Sequence, residues 1–148
     1  MKKSRIIRWP VLLMVAMGFC LSLARTRAEL PPGAYEELKK NASDVLTVKI
    51  LKVQTPEGRK GHYRVLFTAK VLEVTRSQSG VEMGQTLRIA SYHVTEKARK
   101  AGFVGPRIPR LLPVGWEGRV YLNKKQDKTD YDIAAYGESF EEIPASAP

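Results

Sequence analysis

The chain has 148 residues, of which 43% are hydrophobic and 27% charged, a composition that suits one globular domain and excludes a disordered or collagen-like chain. A single cysteine excludes a disulfide framework and a multi-cysteine zinc site. The formal charge of +10 suggests nucleic acid or an anionic membrane, but its distribution along the chain changes that reading.

Six of the 25 cations, Lys2, Lys3, Arg5, Arg8, Arg25 and Arg27, lie in residues 1–28, where no acid occurs. Removing that segment leaves 19 cations against 15 acids, or +4. Val11 to Leu23 is apolar apart from Gly18, Cys20 and Ser22, a 13-residue run suited to a signal peptide and too short to span a bilayer. The sequence therefore predicts a signal peptide over 1–28, cleaved before Glu29 or, alternatively, before Arg25. An uncleaved amino-terminal anchor is the alternative. Phe19 directly precedes Cys20, where a lipoprotein signal needs a small residue, so Cys20 reads as part of the apolar run. The expected address is periplasmic or extracellular.

Residues 29–41 are expected as a short helical lead-in, with Pro31-Pro32-Gly33 as punctuation and a helix over 34–41. Early acids and late lysines suit the helix dipole, and Glu36 to Lys40 offers an i,i+4 pair. The barrel domain is expected over 42–143, with a flexible tail at 144–148.

The first strand runs from Asp44 to Gln54, and its apolar side switches near Ile50-Leu51, which predicts a β-bulge there. Pro56-Glu57-Gly58 makes a turn. His62 to Thr75 follows, with Tyr63, Val65, Phe67, Ala69 and Val71 on one face. The other face is polar first and apolar later, as in a curled sheet. Thr86 to Val94 is the third strand. Thr95 to Gly102 predicts a helical turn ended by the glycine, and 103–113 an irregular loop. Gly118 to Lys124 is the fourth strand, Lys124 to Asp130 a hairpin turn, and Tyr131 to Ile143 a fifth strand, breakable at Gly137. The expected fold is all-β with short helices: a five-stranded OB-like Greek-key barrel with a helical insertion between strands three and four. A flatter β-sandwich is the alternative.

Residues 42–53, 67–74 and 84–89, Leu112-Pro113-Val114-Gly115-Trp116 with Val120-Tyr121-Leu122, and Tyr136-Gly137-Glu138-Ser139-Phe140 carry a resemblance. In this order they resemble the netrin-module and tissue-inhibitor-of-metalloproteinase superfamily of OB folds, particularly its small exported bacterial members. The resemblance implies the barrel. Its inhibitory members chelate a protease zinc through an amino-terminal cysteine, and a start at Glu29 or Arg25 offers none, so that mechanism and its residues do not carry over.

No catalytic signature is present, so the expectation is a non-enzyme with no catalytic residues, no cofactor and no metal. Two histidines, His62 and His93, lack metal-ligand spacing. Ser139 sits in a near-match to a nucleophile elbow that lacks its last glycine and reads as structural. Asn41-Ala42-Ser43 matches a glycosylation sequon and reads as chance in a bacterial-looking chain. Charge is more informative. Asp127 to Pro148 holds six acids and one lysine, or −5, leaving +9 over the rest of the mature chain. Arg99, Lys100, Arg107 and Arg110 lie in and after the helical insertion, near Tyr92, Phe103 and Trp116 in sequence. These seven residues form the candidate binding surface. The expected partner is a protein or a cell-envelope component. The export address counts against nucleic acid, and a membrane enters only if the amino-terminal segment is retained. The alternative is a membrane-anchored domain binding oligonucleotide or anionic lipid.

Overall fold

The computed structural model describes residues 30–55, 62–124 and 129–143. The expected signal peptide, its cleavage points, the turn at Pro56-Glu57-Gly58, most of the turn after Lys124 and the tail at 144–148 lie outside the described residues.

The element order is α1 (Pro32–Asn41), β1 (Asp44–Gln54), β2 (His62–Ser77), β3 (Thr86–Val94), α2 (Glu96–Lys100), β4 (Glu117–Lys124), β5 (Asp130–Ile133), a 3-10 turn (Tyr136–Ser139) and β6 (Phe140–Glu142). The sheet runs β1-β2-β3-β5-β4, and β4 pairs back with β1, so five strands close into a barrel. β3 and β5 are parallel, and every other pairing is antiparallel. This is an OB-like barrel with α2 between its third and fourth strands. The sandwich alternative is set aside by the β1–β4 closure.

Three register shifts curl the β1–β2 pair. The expected bulge at Leu51 is present: Ile50 pairs with Ala69 and Lys52 with Thr68. It turns Leu51 outward and brings Val53 in against the core. Two more bulges fall on β2, at Leu72 and Thr75, since Val48 pairs with Val71, Thr47 with Glu73, Leu46 with Val74 and Val45 with Arg76. They explain the apolar drift on the second face of β2. Leu72 is an inserted residue, and Val74 turns inward onto the core. Each bulge adds twist and bend, which a small closed barrel requires.

Inside, Leu46, Val48 and Ile50 face Val65, Phe67, Ala69, Val71, Ile89, Val120 and Leu122, all at or near zero exposure. Phe140 meets Phe67 edge-on at 5.8 Å and Trp116 edge-on at 6.1 Å between ring centroids. The Trp116 ring lies on Gly118, where a Cβ would stand 2.3 Å from the indole. That close approach is what Gly118 permits.

Two expectations are corrected. α1 begins at Pro32 rather than at residue 34, because a proline at the helix start lacks only an N–H that has no helical partner there. The earlier start moves Glu36 and Glu37 out of the first turn, and Glu36 pairs with Lys39 at 3.2 Å instead of Lys40. The break expected in the fifth strand is present, and the strand divides into β5, the 3-10 turn and β6. The break at Gly137 is dictated from outside the strand: a Cβ there would stand 2.8 Å from the carbonyl oxygens of both Arg107 and Ile108.

Candidate functional site

The 103–116 segment connects α2 to β4. α2 is capped by Thr95, whose hydroxyl accepts from the Ala98 N–H at 3.3 Å, and it ends where Gly102 takes φ +85. The Phe103 N–H then donates to the Ala98 carbonyl at 3.1 Å, joining the loop to the helix.

Without regular hydrogen bonding, this loop needs other anchors, and it has several. The Arg107 N–H donates to the Tyr35 hydroxyl on α1 at 2.8 Å, and the Arg107 carbonyl accepts from the Gly137 N–H at 2.8 Å. The Arg107 guanidinium lies 5.3 Å from the centre of the Tyr35 ring and donates to Glu138. Pro109 is fully buried, its carbonyl 3.2 Å from His93 Nδ1, and Leu112 is buried in the core. Arg110 donates to Glu142 at 2.8 Å. At the far end, the Gly115 N–H donates to the Ile50 carbonyl and the Ile50 N–H to the Trp116 carbonyl. These bonds hold the Val114–Gly115 turn against the β1 bulge.

The seven candidate residues therefore take different parts. Arg107 is an anchor of the loop, and Trp116 is packed against the core. Tyr92 is half-buried on β3, and burial, then its neighbours Tyr136 and Tyr35, raise its pKa above that of an ordinary phenol. Arg110 is exposed but paired. Arg99, Lys100 and Phe103 are exposed, with Lys100 3.4 Å from Glu96 on the same helical face. The loop's basic charge is thus partly answered by the carboxy-terminal acids. Such exposed pairs contribute little to stability, yet they reduce the field left for an anionic ligand.

Beyond Phe103, what the sequence reasoning missed is apolar. Phe103, Val104, Leu111 and Val114 are 42%, 67%, 48% and 64% exposed, and Leu51 at the neighbouring bulge is 44% exposed. Single exposed apolar residues are ordinary, but five on one anchored segment and the bulge it touches are not. Their exposure depends on which loop residues the core takes, and Pro109 and Leu112 have taken those places.

The class of molecule so defined is an OB-like barrel whose α2–β4 loop is pinned at its base and apolar at its surface. No protein-family model matches the chain, and no curated protein matches it.

Proposed function

We propose that this chain is an exported, non-enzymatic binding module, related to the exported bacterial netrin-module proteins, that recognises a protein or cell-envelope component through the α2–β4 loop. The observation that carries this reading is the exposed apolar set Phe103, Val104, Leu111 and Val114 on a segment anchored by Tyr35, Gly137, Pro109 and Leu112. Protein interfaces draw their energy from apolar anchors at the patch centre, and a loop already held in place loses little freedom on binding. The pairing of Arg107 and Arg110 with Glu138 and Glu142 favours this reading over oligonucleotide binding, which needs uncompensated cations beside aromatic platforms. The test is photocrosslinking in cells with benzoylphenylalanine at position 104 or 114 and, as control, at exposed Glu73 on β2. A discrete adduct at 104 and 114 but not at 73 is expected. No adduct at either loop position, or the same adducts at all three, would overturn the assignment.

A further inference from the structure

A second feature lies elsewhere, where α1 covers the outer face of β1, β2 and β4. The register places Val45 between Arg76 on β2 and Tyr121 on β4, and Thr47 beside Arg119. Val45, Thr75, Arg76, Arg119 and Tyr121, with Glu36, Lys39 and Lys40 of α1, surround an open cleft of about 360 Å³.

Its cations are of two kinds. Lys39 is committed: its ammonium meets Glu141 at 2.7 Å and Glu36 at 3.2 Å, and lies 5.6 Å from the centre of the Tyr121 ring. The Tyr121 hydroxyl donates to the other oxygen of Glu141 at 2.9 Å, so that carboxylate is also occupied. None of the remaining three cations makes a direct ion pair, but Arg119 faces Glu141 across the β4–β6 register, and its charge helps to hold that carboxyl below its usual range. Arg76 spends its guanidinium on the carbonyls of Ala42 at 2.7 Å and Lys39 at 3.2 Å, both neutral. Arg119 and Lys40 are both exposed. Among the described residues, neither Lys40, Arg76 nor Arg119 forms an ion pair. This contrasts with Arg64, Arg88, Arg107 and Arg110, which all do.

Four cations from three elements stand around one cleft against the two carboxylates of Glu36 and Glu141, and this net positive charge fits a multiply charged anion with oxygens in several directions. We propose that the cleft between α1 and the outer face of β1, β2 and β4 binds a phosphate-type oxyanion through Lys40, Arg76 and Arg119. The group comes either free in solution or as the headgroup of an anionic lipid. This surface is separate from the α2–β4 loop, and the inference stands without the reading given above.

The test is titration of the full chain with inorganic phosphate at constant ionic strength, with chloride as the control, followed by NMR at the arginine Nε–H and backbone signals around the cleft. Saturable shifts that chloride does not reproduce are expected. Arg119→Gln or Lys40→Gln, both exposed positions, should weaken binding by about tenfold. Glu36→Gln should strengthen it, because it removes a negative charge from the cleft wall; a merely structural role would not move in that direction. Flotation with phosphatidic acid vesicles separates the sources. Flotation that free phosphate competes away assigns a headgroup, and phosphate binding without flotation assigns the free anion. Shifts that stay linear with phosphate, or that persist unchanged in both glutamine variants of the cations, would overturn the proposal.

Discussion

Replacing Asp44 by alanine should cost this barrel more than any surface change. The Asp44 side chain is fully buried at the start of β1. One of its oxygens accepts from Ser77 Oγ at 2.7 Å, Ser79 Oγ at 2.7 Å and the Ser79 N–H at 3.2 Å, and the other accepts from Ser43 Oγ at 2.6 Å. Burial by itself would raise the carboxyl pKa, but the Ser43, Ser79 and Ser77 bonds outweigh it and hold the group below the usual aspartate value. A hydrogen bond to a charged group contributes about 1.5–3 kcal/mol, and the desolvation of the carboxylate, several kcal/mol, offsets part of the sum. The net loss in Asp44→Ala is then about 2–4 kcal/mol at neutral pH, or a Tm lower by roughly 8–16 °C for a domain of this size. The sign of the pH dependence follows from the depressed pKa. The contribution is fully present above the unfolded aspartate pKa of about 3.9 and fades as pH falls through the lower folded value. Urea unfolding followed by circular dichroism, for wild type and Asp44→Ala at pH 7, 5 and 3, reads this out. The gap should hold from pH 7 to 5 and narrow towards pH 3. A variant within about 0.5 kcal/mol of wild type at pH 7, or a gap unchanged at pH 3, would refute the argument.

Three further outcomes are expected. Gly118→Ala should lower stability by about 1–3 kcal/mol in urea unfolding, because the added methyl meets the Trp116 ring and the Glu141 carbonyl oxygen at 2.5 Å. Tyr35→Phe removes the acceptor of the Arg107 N–H and should cost about 1 kcal/mol, with faster hydrogen exchange at residue 107 than in wild type. Arg110→Ala breaks only an exposed pair with Glu142 and should leave Tm within about 4 °C, since such a pair contributes at most about 1 kcal/mol.

Much of the barrel is legible in the alternation of its strands. β3 runs over Thr86–Val94 as its pattern requires, and the switch at Ile50-Leu51 marks a real bulge. The bulges at Leu72 and Thr75 are hidden because Leu72 and Val74 are both apolar, so either could face inward on pattern alone. The division of the last strand depends on the Arg107 and Ile108 carbonyls, which come from another loop. Site chemistry is harder still to read. Arg107 meets Glu138, Arg110 meets Glu142, and Lys39 meets Glu141 across separations of 31, 32 and 102 residues. Linear charge counting finds the basic loop and the acidic end but not their mutual neutralisation. It overlooks Arg76 and Arg119 because β1 lies between their strands and joins them to one face.

That mutual neutralisation also explains why charge is a poor guide to this protein's partners. Arg107 and Arg110 on the candidate loop are already answered, while an excess of cations lines the cleft beside α1 on a different face. Apolar exposure, rather than net charge, distinguishes the loop.

The intact mass of the native protein in each cell fraction tests the proposed export of this binding module most directly. A chain beginning at Glu29 or Arg25 in an extracytoplasmic fraction is the expected result. A full-length mass confined to the soluble cytoplasm would contradict it.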